Sequence, residues 1–189
     1  MQITTKRLLI RPIHQEDWPS IRAIWEDFSH SPYAQYDKPH STDPEDVRAR
    51  IARWARYTAQ GMEHIFFAVC RQDRVIGYIA FNRRAQGYEI GYCFHSASHG
   101  KGYAREAHAA LFAALGGKGI THFTAGTALA NTPSVRLLTS LGFRLTGTEK
   151  VSFYQDASGR DIVFDGGIFA LSLDKEGDHG HREAAEMAF

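Results

Sequence analysis

The spacing of apolar residues along the chain changes repeatedly between the period of a strand and the period of a helix. Alternating or continuous short apolar runs bounded by turn residues predict strands, and apolar positions three to four residues apart predict helices. The predicted strands cover residues 3–12, 65–71, 75–81, 88–94, 121–127, 144–154 and 162–173. The predicted helices cover approximately residues 15–28, 43–57, 103–115 and 131–142.

This order of elements predicts an α/β fold of the α+β kind, with a mixed central sheet of about seven strands and helices on both faces. The chain has 189 residues, of which 43% are hydrophobic, which suits one substantial core rather than two domains. We therefore predict a single domain over residues 1–173. Residues 174–189 are charged and polar, with little to bury, and are predicted to form a tail.

The charged residues are nearly balanced, with 22 Lys and Arg against 21 Asp and Glu. This balance provides no basic surface field for nucleic acid or a membrane surface. No apolar run approaches a membrane span, and Met1 leads into a strand rather than a signal peptide, so a cytoplasmic location is expected. The ten histidines show no metal-ligand spacing, so no metal is expected, and Cys70 and Cys93 are expected to be reduced thiols.

The segment His99-Gly100-Lys101-Gly102 separates the strand 88–94 from a helix that begins at Tyr103. The start of a helix carries backbone N–H groups without intrahelical acceptors and the positive end of the helix dipole. Such a site binds anions, and glycines allow the backbone to approach a bulky diphosphate closely. The segment therefore predicts a site for a phosphorylated ligand.

Three phosphate-binding patterns compete for this loop, beside a plain strand–helix turn that uses glycines without any ligand. A P-loop requires Gly-Lys-Ser/Thr, whereas Lys101 is followed by Gly102. A dinucleotide-binding fold requires a third glycine where Arg105 stands, and it places the loop after the first strand. The third pattern, Gln/Arg-x-x-Gly-x-Gly/Ala, is typical of acyl-CoA-dependent acetyltransferases. Gly102 and Ala104 fit this pattern, and His99 departs from it.

Two further segments stand in the order that is typical of one family. After the loop and the next strand come Asn131, a short helix and the pair Gly142-Phe143. Near the start, the run from Thr5 to Pro12 reads TKRLLIRP and is followed by Glu16-Asp17. With the loop, these segments resemble the GNAT-type N-acetyltransferases, and the opening resembles the RimJ/RimL-like branch of ribosomal-protein-alanine acetyltransferases. The resemblance covers about residues 4–173.

The resemblance implies the GNAT fold, with the sheet splayed after the strand 88–94 to form an acyl-CoA cleft. It implies acetyl-CoA as co-substrate and an amine acceptor, a small molecule or a protein N-terminus, bound by a monomer or homodimer. The resemblance also implies direct attack by the amine in a ternary complex, which requires no nucleophilic Cys93. The residues implied at the cofactor are Cys93, Phe94 and His95 through backbone atoms, with His99, Gly100, Lys101, Gly102, Tyr103, Ala104, Arg105, Asn131 and Ser134.

Glu89 is the predicted general base. Its strand alternates apolar side chains on one side with Glu89, Gly91 and Cys93 on the other. A carboxylate among small residues on a sheet is costly unless a cleft or a polar partner meets it. Two alternatives stay open: Glu89 as a surface side chain, and Glu106 as the base, although a carboxylate in a first helical turn is also favoured by the helix dipole.

The residue that would assist the leaving thiolate departs from the usual pattern of the family. Many members of the family carry a tyrosine at the position of Leu138, so the usual acid is absent here. In the RimJ/RimL-like branch a serine can serve instead, which implies Ser134. The missing tyrosine also gives weight to an alternative function, a non-catalytic acyl-CoA-binding or sensing module. A nucleotide-binding protein is the third hypothesis.

Acceptor selection is placed by the resemblance in the loop between the first two helices and in the turn between the last two strands. The residues implied in these two segments are Tyr33, Tyr36, Asp37 and His40, and Tyr154 to Arg160. Glu89, on its strand, is implied as a further contact of the acceptor. Aromatic and acidic groups suit an amine. They do not distinguish a protein N-terminus from a polyamine, an amino acid or an antibiotic.

Overall fold

The computed structural model describes residues 1–61 and 63–173, where one eight-stranded sheet is flanked by four α-helices. The strands are β1 (Ile3–Thr4), β2 (Leu9–Pro12), β3 (His64–Arg71), β4 (Arg74–Arg83), β5 (Tyr88–Phe94), β6 (His122–Ala128), β7 (Arg144–Gln155) and β8 (Asp161–Ser172). The helices are α1 (Trp18–Ser29), α2 (Pro44–Gln60), α3 (Tyr103–Gly116) and α4 (Thr132–Ser140). The predicted tail, residues 174–189, lies outside the described residues, so the division at residue 173 stays a prediction.

The strands follow the order β1-β2-β3-β4-β5-β6-β8-β7 across the sheet. Strand β5 runs parallel to β6, and the other strand pairs in the described residues are antiparallel. Helices α1 and α2 cover one face, and α3 and α4 cover the other. This arrangement confirms the predicted α+β fold with a mixed sheet and helices on both faces.

The prediction of one strand over residues 3–12 is wrong, because this segment is a hairpin of β1 and β2. Its turn is closed by Thr5, whose N–H donates to the carbonyl of Leu8 at 2.9 Å. The Thr5 hydroxyl oxygen accepts from the N–H of Leu8 at 3.0 Å, and the hydroxyl donates to Glu106 at 2.6 Å. These bonds break the extended run and raise the strand number from the expected seven to eight.

Each face of the sheet has its own apolar core. Beneath α3 and α4, the buried residues include Ile10, Val69, Ile79, Phe81, Ile90, Leu111, Phe112, Phe123 and Leu138. Beneath α1 and α2, they are Ile13, Ile21, Ile24, Trp25, Val47, Ile51, Phe66, Tyr78 and Ala80. The sheet is therefore packed on both faces, which fixes the positions of its strands.

The sheet opens between β5 and β6. These strands pair only over Tyr88↔Phe123, Glu89↔Thr124 and Ile90↔Ala125. Beyond Ile90, β5 continues along β4 as far as Phe94, while β6 continues along β8 as far as Ala128. A gap thus forms between the ends of two neighbouring strands, as the splayed sheet in the prediction requires.

A buried imidazole lies under this gap. His108 on α3 is 0% exposed, and its Nδ1 atom is bonded to the carbonyl of Ala104 at 2.7 Å. Its Nε2 atom has no hydrogen-bond partner among residues 1–61 and 63–173. Burial lowers the pKa of His108 to about 4, so the ring is neutral at physiological pH.

We expect the free energy of unfolding to fall as the pH is lowered from about 6.5 to about 4. In this pH range residue 108 is protonated in the unfolded chain but stays neutral in the folded protein. The free energy of unfolding therefore falls by at most about 3 kcal/mol. Urea unfolding of the parent and of His108→Leu across this range measures it. The variant should show a weaker pH dependence, and an identical dependence in both proteins would contradict the assignment to His108.

Candidate active site

The gap between β5 and β6 leads into a cleft of about 1560 Å³. One wall is the end of β5 with the start of α3, and another is the start of α4. The far end is formed by residues 27–38 and by the hairpin of β7 and β8. The cleft therefore has a backbone-rich end near α3 and an aromatic end near β8.

The backbone-rich end is suited to a diphosphate. Gly102 is the N-cap residue of α3 and has a φ of +75°. It has no side chain that could accept hydrogen bonds from the first-turn N–H groups. The N–H groups of Tyr103, Ala104 and Arg105 have no intrahelical acceptor, since they form the first turn. Gly100 has a φ of +70°, and nothing lies within 4 Å of where its Cβ would stand. Free donors, open space and the helix dipole meet at one point of the cleft.

Most of the residues predicted at the cofactor do line the cleft. Two of them do not: the side chain of Lys101 turns away and donates to the carbonyl of Ala97 at 2.7 Å. The N–H of His95 donates to the carbonyl of Ile76 at 3.0 Å, and this residue also lies outside the lining. The contact of both residues with the cofactor stays a prediction. The residues that line the cleft are Cys93, Phe94, His99, Gly100, Gly102, Tyr103, Ala104, Arg105, Asn131 and Ser134.

A polar clamp holds the loop in place from the N-terminal hairpin. Arg7 donates to the carboxylate of Glu106 at 2.6 Å and to the carbonyl of Lys101 at 2.9 Å. Desolvation raises the pKa of Glu106, but hydrogen bonds from Thr5 and Arg7 outweigh it and leave this pKa below its usual value. Glu106 is thereby committed to joining the hairpin to α3, which argues against the alternative that it is the base.

His99, which departs from the expected loop pattern, joins the loop to the end of β5. Its Nε2 atom bonds the carbonyl of Phe94 at 2.8 Å. A carbonyl can only accept, so this nitrogen carries a hydrogen. The ring ties the loop to the end of β5 and keeps the strand and the helix start at a fixed separation.

Glu89 lies at the point where the sheet begins to open. It stands opposite Asn82 on β4 and Thr124 on β6, and its side chain lines the cleft. The predicted alternation is confirmed, because Tyr88 and Ile90 on either side are buried beneath α3. The carboxylate forms an ion pair with Arg84, and the side chains are 36% and 54% exposed respectively. A pair this exposed orients the carboxylate and adds little to stability.

Cys93 contributes a neutral thiol. Burial, with Asp37 and Asp27 nearby, raises the pKa of Cys93 to about 12, which argues against a nucleophilic thiolate. The hydrogen bonds between β4 and β5 show which backbone amides face the cleft. The N–H of His95 donates to the carbonyl of Ile76, at the start of β4. Because antiparallel bonding alternates, the N–H of Cys93 also faces β4, and the N–H of Phe94 faces the side that β6 has left.

Ser134 has a partner that the sequence analysis missed. The hydroxyls of Ser134 and Tyr92 lie 2.7 Å apart, and both residues line the cleft. The side chain of Asn131 accepts from the N–H of Ser134 at 3.3 Å and caps α4. Leu138 is 0% exposed in the core, so no acid can act from that position. A hydroxyl-bearing aromatic next to the strand separation is the signal by which Tyr92 could have been found.

The aromatic end only partly matches the predicted acceptor residues. Tyr33 and Tyr36 line the cleft, and the ring of Tyr36 meets Phe164 edge-on at 5.2 Å. Tyr154 lines a smaller neighbouring cavity of about 490 Å³, and its role at the acceptor stays a prediction. Phe153 and Phe164, which the sequence analysis did not select, complete this wall of the cleft.

In the part of the chain that the structure describes, no group of three or more His, Cys, Asp or Glu side chains could hold a metal ion. None of the helices there has the length and hydropathy needed to cross a membrane.

The sequence matches the family described as the acetyltransferase (GNAT) domain over residues 7–144. A curated relative, the uncharacterized N-acetyltransferase YnaD of Bacillus subtilis (strain 168), is 33% identical over 152 residues, covering 78% of this chain and 85% of the relative.

Solved structures share the fold. A GNAT-family acetyltransferase from Bacillus anthracis has a TM-score of 0.70 and 27% identity, over 91% of this chain and 98% of that chain. RimL, the ribosomal L7/L12 alpha-N-protein acetyltransferase, in complex with coenzyme A, has a TM-score of 0.76 and 17% identity. That match covers 92% of this chain and 99% of RimL, and it agrees in fold with the predicted RimJ/RimL-like branch. The sequence match and the splayed sheet together establish that this chain belongs to the GNAT family of acetyltransferases.

Proposed function

We propose that the protein is an acetyl-CoA-dependent N-acetyltransferase that passes an acetyl group to a primary amine by direct attack in a ternary complex. The observation that carries this proposal is the meeting, in one cleft, of the free N–H groups of α3 with Glu89 and Ser134. Acetyl-CoA supplies an acetyl group activated as a thioester. The residues of the chain bind and orient this group, and they handle the proton of the amine.

Two parts of the backbone bind and orient the co-substrate. The first-turn N–H groups of α3, with the open space beside Gly100, receive the diphosphate. The N–H of Phe94, which faces the gap, donates to the carbonyl oxygen of the acetyl group and stabilises negative charge there. Both sets of donors are fixed by the fold before the ligand binds, so little reorganisation is required.

The amine must lose a proton before it can attack, since it is charged at neutral pH. The carboxylate of Glu89 accepts this proton, directly or through a water. Glu89 lies at the edge of the gap between β5 and β6, whereas Glu106 is hydrogen-bonded to Thr5 and Arg7. Glu89 is therefore favoured over Glu106 as the base. Arg84 orients the carboxylate from the solvent side.

The acceptor is a small-molecule amine or a protein N-terminus. Support for the second comes from RimL, which shares the fold and acts on a ribosomal protein. The wall of Tyr33, Tyr36, Phe153 and Phe164 provides aromatic surface beside the acceptor. A cytoplasmic location and a monomeric or homodimeric state stay predictions.

Replacing Ser134 by alanine should slow turnover more than it weakens CoA binding. The hydroxyl of Ser134 is expected to lie nearest the leaving sulfur, because Ser134 lines the cleft. Leu138, one helical turn further along α4, is buried and has no hydroxyl. The turnover number and the CoA dissociation constant, measured by steady-state kinetics and calorimetry, separate the two effects. An unchanged turnover number would leave Ser134 without a role in thiolate departure.

The experiment that tests the proposed function is a panel of amines incubated with acetyl-CoA, with products identified by mass spectrometry. The panel includes peptides with free N-termini, polyamines, amino acids and aminoglycosides. An acetylated amine supports the proposal. Binding of CoA without any product would identify the alternative, a non-catalytic acyl-CoA-binding module, and preference for ATP or NAD over CoA in a thermal-shift comparison would identify a nucleotide-binding protein.

A further inference from the structure

Two hydroxyl groups meet in the cleft where β5 leaves β6. The Oη atom of Tyr92 lies 2.7 Å from the Oγ atom of Ser134. Tyr92 lies on β5 beyond Ile90, the last residue paired with β6, and Ser134 lies in the first turn of α4. Neither hydroxyl has a second hydrogen bond within residues 1–61 and 63–173. They form an isolated pair that bridges the two sides of the gap.

The pair offers one donor to the cleft whichever way its internal hydrogen bond runs. Each hydroxyl carries one hydrogen, and one of the two is used between the oxygens. Burial raises the pKa of Tyr92 to about 12, despite the opposing effect of the bond to Ser134, so the phenol keeps its proton at neutral pH. A phenol is a better donor than an alcohol. Donation from Tyr92 to Ser134 is therefore favoured, and the hydrogen of Ser134 is left for another acceptor.

The surroundings hold Tyr92 in this position. Its ring meets the ring of His108 edge-on, with centroids 4.8 Å apart. His108 is itself 0% exposed, and its ring is hydrogen-bonded to the carbonyl of Ala104. Ala104 lies in the first turn of α3, which lines the cleft. The buried side chain of Leu138 leaves no other hydroxyl at the position where the family commonly carries one. The hydroxyl of Tyr92 thus reaches the gap from the strand rather than from α4.

We propose that Tyr92 is a positioning residue that aims the hydroxyl hydrogen of Ser134 at the sulfur of bound coenzyme A. This inference rests on the proposed function. The hydrogen bond stabilises the electron pair that the sulfur gains when the carbon–sulfur bond breaks. Neither hydroxyl gives up its proton. Glu89 takes the first proton of the ammonium group, and the second, released from the nitrogen as the amide forms, goes to the departing sulfur or to water.

The test is the pKa of the thiol of CoA while it is bound. Thiolate absorbance in the ultraviolet is followed as the pH is raised, and the spectrum of the desulfo-CoA complex is subtracted to remove the tyrosines and cysteines of the protein. The parent should hold this thiol pKa below that of free CoA. Tyr92→Phe and Ser134→Ala should each raise it by about one pKa unit, the size expected for one charge-assisted hydrogen bond. The double variant should raise it no further, because the two hydroxyls act as a unit.

The matched control is Tyr78→Phe. It also removes a buried phenol oxygen, one that accepts from Nε1 of Trp25 at 3.1 Å on the opposite face of the sheet. The thiol pKa of bound CoA should be the same in this variant as in the parent. In kinetics, Tyr92→Phe should lower kcat and leave the KM for acetyl-CoA nearly unchanged.

The outcomes separate this inference from the proposed function. If the parent acetylates amines and Tyr92→Phe leaves the thiol pKa of bound CoA unchanged, Tyr92 has no positioning role and the proposed function still stands. If the variants shift the thiol pKa but the parent acetylates no amine, the pair is supported and the proposed function fails. An equal shift in Tyr78→Phe would also overturn the inference, since it would show a general effect of lost packing.

Discussion

Glu89→Gln is expected to lower the turnover number by about 10²–10⁴-fold, the range typical of a lost general base. Glutamine keeps the shape and hydrogen-bonding capacity of the side chain but cannot accept the ammonium proton. CoA affinity should stay near that of the parent, since Glu89 lies apart from the first turn of α3. Initial rates of CoA release at saturating substrates, with calorimetry of CoA binding, measure both quantities. The variant should recover part of its deficit as the pH rises and free amine accumulates.

Arg84→Gln is the matched control for this substitution. It removes the ion pair between Arg84 and Glu89 but keeps the carboxylate, and a pair this exposed contributes little to stability. Most of the turnover should therefore survive in Arg84→Gln. If Glu89→Gln is as active as the parent at neutral pH, Glu89 is structural and the proton leaves through solvent or Glu106.

Gly102→Val is expected to weaken CoA binding by about tenfold or more. The φ of +75° at Gly102 is costly for any residue with a Cβ, by roughly 1–2 kcal/mol, and relief of that strain displaces the turn. The valine Cβ would also stand 3.5 Å from the guanidinium of Arg7, which holds the loop through the carbonyl of Lys101. Calorimetric titration with CoA measures the loss, and circular dichroism checks that the fold survives.

Gly119→Val provides the matched control for the loop. Gly119 has a φ of +79°, with nothing within 4 Å of its would-be Cβ, and it lies beyond the other end of α3. Both variants should lose a similar amount of stability in urea, but only Gly102→Val should lose CoA affinity. Equal CoA affinity in Gly102→Val and the parent would show that the diphosphate does not bind at this loop.

Local patterns sufficed for most of the fold. Helix α2 begins as predicted, with Asp43 accepting from the N–H groups of Glu45 and Asp46 and with Pro44 at the first position. The alternation along β5 was also read correctly on both sides of Glu89. In each case the information lies within a few neighbouring residues, where capping and periodicity operate.

The errors arise where a partner is distant in the sequence. The break between β1 and β2 depends on Thr5, whose hydroxyl bonds Glu106, 101 positions away. The pairing of Tyr92 with Ser134 was missed for the same reason, since the two residues are 42 positions apart. No periodicity or motif in one sequence contains these contacts, which only the closed fold brings together.

The most direct test of the account follows an isotopically labelled acetyl group. The parent is mixed with acetyl-CoA labelled in the acetyl group and with an amine, and both the small molecules and the intact protein are analysed by mass spectrometry. The account predicts label in the amine, an equal amount of free CoA and no label on the protein. Label on the protein, at Cys93 or elsewhere, would contradict direct attack, and CoA release without acetylated amine would contradict N-acetyl transfer.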